Sequence, residues 1–256
     1  MKNHVKDSLK NGKTTIGSWI SILYPDAVRA VADAGFDWVL FDTEHMPYDL
    51  ETTDKMIQVL KDAQAIPFIR VVWNDINAIK KALDTGAYGV VAPWVSSKEE
   101  AINAVKFCKY PPEGLRGVAP GRAANFWGVS SEEYLEIAND EIMVIVQIER
   151  EEAVKNIEDI VSVEGIDATF IGPMDLSASM DFRGKPFHPK VLEAMDKVLE
   201  ACKNAGVAPG IAFGMNVEHI KELIAQGFQF IGVGVDISFL LRGCNDVLSQ
   251  IKRQDR

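Results

Sequence analysis

Charged side chains follow directly on short apolar runs at five places in this 256-residue sequence: Asp42-Thr43-Glu44-His45, Arg70, Gln147-Ile148-Glu149, Gly172-Pro173-Met174-Asp175 and Asp236. Glu149 and Asp175 leave neighbouring runs, so their carboxylates can converge on one point. Two like charges brought together are unfavourable unless a proton or a cation sits between them. Neither has a Cys or His beside it, so the donors are all oxygen. That set suits Mg²⁺ or Mn²⁺, which keep water and substrate ligands. The competing reading is two solvated carboxylates bonded to loop amides. His45 can move a proton near neutral pH, pack within its loop, or serve as a third metal ligand. Arg70 emerges after Pro67-Phe68-Ile69. A buried guanidinium needs an anion, which favours an oxyanion or carboxylate of a ligand over a structural salt bridge. No lysine occupies such a position, which disfavours Schiff-base chemistry. His4, His188 and His219 lie in the N-terminal arm, a loop or a helix start. Gly232-Val233-Gly234 is explained by close packing as well as by a phosphate.

These residues need a scaffold that gathers the ends of the apolar runs on one face. The runs 16–20, 36–41, 67–72, 89–91, 143–148, 168–171, 207–213 and 228–235 are rich in Val, Ile and Phe. They are too short for buried helices, which predicts strands covered on both faces. Helical patterns lie between them, over 25–34, 54–63, 76–83, 98–108, 151–160, 189–205 and 216–225. Gly35, Gly86, Gly206 and Gly227 each stand where a helix stops before a strand, the place of a C-terminal glycine cap. Eight alternating strands and helices in this length predict a single (β/α)₈ TIM barrel over residues 1–256. The rival doubly wound sheet carries a glycine-rich first turn, which Ser18-Trp19-Ile20-Ser21-Ile22 is not. Residues 110–127 read as one long irregular segment. In a barrel, the residues singled out above all fall at the carboxyl ends of strands, the catalytic face.

Composition narrows the partners. Lys and Arg number 27 against 37 Asp and Glu, a net charge of −10 that disfavours nucleic acid and anionic membranes. No apolar run reaches the roughly 20 residues of a membrane span. Three cysteines without a CxxC pair, and a start of Met1-Lys2-Asn3-His4, predict a cytoplasmic protein.

Over nearly its whole length the sequence resembles the HpcH/HpaI family of metal-dependent pyruvate aldolases. The blocks that carry the likeness are Gly35-Phe36-Asp37-Trp38-Val39 with Asp42-Thr43-Glu44-His45, and Tyr110-Pro111-Pro112-Glu113-Gly114 with Arg116-Gly117-Val118. Gln147-Ile148-Glu149, Phe170-Ile171-Gly172-Pro173-Met174-Asp175-Leu176-Ser177 and Gly232-Val233-Gly234-Val235-Asp236 follow in order. The resemblance implies a divalent metal (Mg²⁺, Mn²⁺ or Co²⁺) on Glu149 and Asp175, and His45 as general base. It implies that Arg70 steadies the enolate and C4 oxygens, and that Asp84 raises the basicity of His45. Gln147 and the backbone at Met174-Asp175 would contact the pyruvyl unit. Met174, Ala119-Pro120-Gly121 and Phe126-Trp127 depart from the family's usual sequence, in a region that bears on the acceptor aldehyde. The expected reaction is reversible cleavage of a 4-hydroxy-2-oxo acid to pyruvate and an aldehyde through a metal-stabilised enolate. Two alternatives stand beside it. A lyase for malyl- or citramalyl-CoA thioesters needs cations for the nucleotide, and the strand ends offer one arginine. A non-catalytic 2-oxo acid binding protein has no need of His45, Arg70, Glu149 and Asp175 together.

Asp84 presents a conflict. It closes the third predicted helix in Leu83-Asp84-Thr85-Gly86, at the barrel end opposite His45. The 110–127 segment, with Arg116 and Arg122, leaves from the same side. Both facts are reconciled if a second subunit sets its bottom face against this mouth. A homo-oligomer with active sites completed across the interface is therefore expected, a hexamer by the resemblance. The other reading gives Asp84 a backbone amide near Gly86.

Overall fold

Val, Ile and Phe fill eight strands, and the computed structural model, which describes residues 2–251, closes them into one parallel barrel. The strands are β1 Thr15–Ile20, β2 Trp38–Asp42, β3 Ile66–Arg70, β4 Gly89–Ala92, β5 Met143–Ile148, β6 Ala168–Ile171, β7 Gly210–Phe213 and β8 Phe230–Val235. Each pairs with its sequence neighbour, and β8 closes on β1 through Ile16 opposite Ile231 and Gly17 opposite Gly232. Strands β2 to β5 are buried along their whole length, as a sheet covered on both faces must be. The β2–β3 register sets Asp42 directly beside Arg70.

Aromatic rings fill the barrel interior. Trp38 stacks on Phe230 at 4.1 Å, and Phe68 and Phe170 meet both rings edge-on. Gly17 is what lets Trp38 lie flat: a Cβ there would fall inside the indole. Gly17→Ala is expected to lower stability by about 1–3 kcal/mol or more through overpacking. Gly121→Ala, where a Cβ meets open space, should leave it level or slightly raised. Denaturant midpoints of the two variants check the contrast.

The four predicted glycine caps hold, with Gly35, Gly86, Gly206 and Gly227 all in the left-handed region at φ 100°, 104°, 71° and 110°. Elsewhere the boundaries move. The helix expected over 54–63 is Leu50–Val59, because the Asp49 side chain caps the Thr52 amide at 2.8 Å. The one expected over 151–160 breaks at Asn156 into Glu151–Lys155 and Ile157–Val161. The 110–127 segment is not irregular throughout. It contains the helix Gly121–Trp127, held because Trp127 stacks on Tyr88 at 4.4 Å and donates to the Gly86 carbonyl. Further helices span His4–Lys10, Ser131–Glu141, Pro173–Ser179 and Asp236–Gln250. Among the described residues, no helix is long and apolar enough to cross a membrane.

Candidate active site

Arg70 leaves the end of β3 and is 7% exposed. Its Nε and Nη2 donate to Asp42 Oδ1 and Oδ2 at 3.0 and 2.7 Å, the side-on fork that suits guanidinium and carboxylate. Glu44 adds a second carboxylate 3.2 Å from Nε, and the guanidinium carbon lies 4.4 Å from the centroid of a Trp19 ring. The salt bridge weighed against a ligand anion is thus present: two protein carboxylates meet this guanidinium. Nη1 alone points elsewhere, 3.5 Å from Gln147 Oε1.

Gln147 carries the line onward. Its Nε2 donates a short hydrogen bond to Glu149 Oε2, while Glu149 Oε1 accepts the Trp94 amide at 2.8 Å. Glu149 is 4% exposed. Burial pushes its carboxyl above the usual range, and the nearby Glu44 and Asp175 push it further, against the pull of the Trp94 amide and Gln147. The opposite wall is bare, since a Cβ on Gly172 would come within 3.4 Å of Glu149 and 3.3 Å of the Gln147 amide. Asp175 stands exposed in the first turn of Pro173–Ser179, after the exposed Met174. Gly172 gives that turn no side-chain cap, so the Met174 and Asp175 amides lack intrahelical acceptors.

The donor set fits a hard divalent cation. It is all carboxylate oxygen, and it sets the exposed Asp175 near the buried Glu149, whose proton affinity that neighbour helps to raise. Among the described residues no cluster of three or more His, Cys, Asp or Glu could hold a metal. Two carboxylates would leave most of a cation's coordination to water and substrate, which suits Mg²⁺ or Mn²⁺.

His45 lies at the rim, 59% exposed at its side chain, with Nε2 4.0 Å from Glu44 Oε2. Its place is set by Asp42 Oδ1, which accepts the amides of Glu44 and His45 at 3.1 and 3.2 Å. Tyr48 braces the same turn by accepting the Asp42 amide and donating to the Ile20 carbonyl, both at 3.0 Å. Asp42, Trp19 and Trp94 are site residues that the sequence reading left without roles. The signal for Asp42 was the strand pairing, which puts it level with Arg70.

Asp84 is not brought to this site. It ends the helix Ile76–Asp84, at the opposite face of the barrel from His45. Its partner is Arg116 Nη2 at 2.8 Å and not an amide near Gly86. Arg116 is 1% exposed and lies 4.4 Å from the Tyr110 ring and 5.9 Å from Tyr134. Asp84 keeps a quarter of its side chain exposed. Arg122 pairs with Asp54 on the same side.

Comparison with known proteins adds three findings. A family model described as HpcH/HpaI aldolase/citrate lyase matches residues 15–242. A 4-hydroxy-2-oxo-heptane-1,7-dioate aldolase of Salmonella typhimurium is 43% identical over 244 residues, 95% of this chain and 92% of that protein. Two crystal structures superpose over nearly the full length. An HpcH/HpaI aldolase/citrate lyase family protein of Burkholderia cenocepacia gives a TM-score of 0.92 at 35% identity, covering 97% of this chain and 99% of its own. An HpcH/HpaI aldolase of Desulfitobacterium hafniense gives 0.90 at 32%, covering 98% and 97%.

Proposed function

The chain belongs to the HpcH/HpaI aldolase/citrate lyase family, and from that membership we propose the roles of its residues in reversible cleavage of 4-hydroxy-2-oxo acids to pyruvate and an aldehyde. It is a carbon–carbon lyase acting on small molecules. The observation that carries the residue assignment is the hydrogen-bonded line Arg70–Gln147–Glu149 across the carboxyl face, with Asp175 beside it.

A divalent cation of the Mg²⁺, Mn²⁺ or Co²⁺ type held by Glu149 and Asp175 supplies Lewis-acid polarisation of the 2-oxo acid. Gln147 and the unpaired amides of Met174 and Asp175 orient the pyruvyl carboxylate. Arg70, fixed by Asp42 and Trp19, turns Nη1 toward the oxygen that gains charge in the transition state. His45 at the rim takes the C4 hydroxyl proton. The C3–C4 bond then breaks, the aldehyde leaves, and C3 takes up a proton to give pyruvate. The same arrangement supports oxaloacetate decarboxylation as a side activity. Incubation with pyruvate, Mn²⁺ and a panel of aldehydes tests the reading: new 4-hydroxy-2-oxo acids are expected, and their absence with every aldehyde would overturn it.

This reading takes the chain as a single-domain cytoplasmic barrel that works as a homo-oligomer, a hexamer by its family membership. Two features support assembly. The helix Asp236–Gln250 buries only Asp236 and exposes Ile237, Leu240, Leu241, Val247 and Leu248. An apolar groove beside it is lined by Ala27, Ala30, Val31, Ala34 and Phe36. Both call for a second copy as cover. Asp84, half-presented by Arg116, would then reach the His45 of a neighbouring subunit. Mixing inactive His45→Ala with inactive Asp84→Asn subunits should restore activity, to about a quarter of wild type if each site draws on two subunits at random. No recovery after demonstrated exchange would refute the shared site.

A further inference from the structure

At the barrel face opposite the candidate active site, a cleft of about 510 Å³ opens beside the helix His4–Lys10. It runs along the residues that lead into β5 and β6, and Lys6, Lys109, Glu113, Asn139, Glu164 and Asp167 face it. None of them has a part in the chemistry at the carboxyl face. The missing strand-end lysine disfavours imine chemistry there, but it does not bear on this second cleft.

Lys6 and Lys109 are the buried lysines among the described residues, each 7% exposed, and their surroundings differ. Lys6 Nζ donates to the Ile142 carbonyl at 3.0 Å and pairs with Asp167 Oδ1 at 3.0 Å. Lys109 Nζ has no hydrogen bond or ion pair among the described residues. The nearby acids are engaged elsewhere: Asp167 Oδ2 accepts the Val144 amide, and Glu113 Oε1 accepts Asn139 Nδ2, both at 2.9 Å. Nor is Lys109 Nζ sealed from water, so it reaches the cleft that its side chain lines. The backbone that carries it is fixed. Its amide donates to the Val105 carbonyl at 3.2 Å, and its carbonyl accepts the Arg116 amide at 2.9 Å.

A lysine ammonium held away from water and beside a second ammonium gives up its proton more readily. Burial lowers the Lys109 pKa, and Lys6 lowers it further, against the opposing effect of Asp167, Cys108 and Glu113. The free amine carries the lone pair that attacks a carbonyl carbon. Desolvation or a neighbouring cation is how enzymes obtain that form near neutral pH. A neutral imine would also relieve the cost of a buried ammonium without an acceptor.

We propose that Lys109, set beside Lys6 in this cleft, is a carbonyl-reactive amine that takes small aldehydes as imines. The amine nitrogen bonds to the aldehyde carbon, whose π electrons move to oxygen, and a proton passes from nitrogen to that oxygen. Expulsion of water then forms the C=N bond, with Glu113 and Glu164 placed in the cleft to relay protons. Amine and aldehyde are the only reactants, and water is the only product besides the imine. The step is reversible and needs no metal. It is separate from the aldol reaction, although a lyase that releases aldehydes supplies the reagent.

The test treats the full chain with limiting butanal and sodium cyanoborohydride at neutral pH, without pyruvate or metal. The reductant converts the imine to a stable N-butyl lysine, which peptide mapping by mass spectrometry quantifies at each lysine. Lys197, exposed on the helix Pro189–Ala205, is the reference. In the folded protein Lys109 should react about threefold or more faster than Lys197, since each unit of lowered pKa multiplies the free amine about tenfold. In urea, where the cleft is gone, the ratio should fall to about one. Lys6→Gln, confirmed as folded by circular dichroism, should bring the native ratio down toward that value. Should that variant not fold, the comparison of native with urea-unfolded wild type decides. A smaller native ratio overturns the inference, and so does a preference that survives in urea. An unchanged ratio in folded Lys6→Gln overturns the part given to Lys6. No arm depends on turnover, so failure of the aldolase reading would leave this result as it stands.

Discussion

Excess chelator is expected to reduce aldol turnover to background, and Mg²⁺, Mn²⁺ or Co²⁺ added afterwards to restore it. Glu149→Ala/Asp175→Ala should do the same irreversibly, with a loss beyond about 10²-fold. The physical reason lies in Glu149. It is almost fully buried, its carboxyl is pushed up by that burial, and Glu44 and Asp175 add like charge. An ionised pair in such a place is stable only with a cation between its members. The double variant also removes that repulsion, so its thermal stability without metal should match or exceed that of wild type. A binding measurement without turnover gives a second readout: calorimetric titration with Mn²⁺ should show one site in wild type and none in the variant. Full activity in excess chelator would sink the assignment.

The architecture was legible where a local rule decides the outcome. Val- and Ile-rich runs became buried strands, and Gly35, Gly86, Gly206 and Gly227 adopted the positive φ that a C-terminal cap requires. It was less legible where tertiary contacts decide. Gly121–Trp127 is helical because Trp127 finds Tyr88 and the Gly86 carbonyl, 39 and 41 residues away in sequence. The amphipathic period that would announce Asp236–Gln250 leads to an exposed apolar face within one chain. At the site, Glu149, Asp175 and His45 stood out as ionisable groups on apolar strand ends. Asp42 stood in the same block but showed no role, since its function depends on register, and a one-residue slip of β2 against β3 would have parted it from Arg70. The Trp94 amide could not be foreseen either, because it donates from a left-handed backbone that no glycine announces.

Arg70→Lys should lower kcat by about 10²-fold or more while the charge is kept. Three contacts depend on the guanidinium plane: Nε and Nη2 on Asp42, and Nη1 near Gln147. A lysine ammonium is one donor centre, and Asp42 would hold it, leaving nothing aimed at Gln147 or the substrate oxygen. The loss should therefore fall on kcat, because the missing contact is with charge that develops in the transition state. If KM alone rises and kcat holds, Arg70 anchors substrate and does no more. Asp42→Asn separates positioning from charge. Its Oδ1 can still accept Arg70 Nε and the Glu44 and His45 amides, but its Nδ2 would face Arg70 Nη2, donor against donor. That variant should free the guanidinium from its fork while keeping Arg70 itself. A fall in kcat in Asp42→Asn with unchanged Mn²⁺ affinity would show that rigid aim, and not the presence of a positive charge, is what the Asp42–Arg70 pair contributes. Wild-type kcat in Asp42→Asn would show that Arg70 needs no such support, and that Trp19 and Glu44 suffice to hold it.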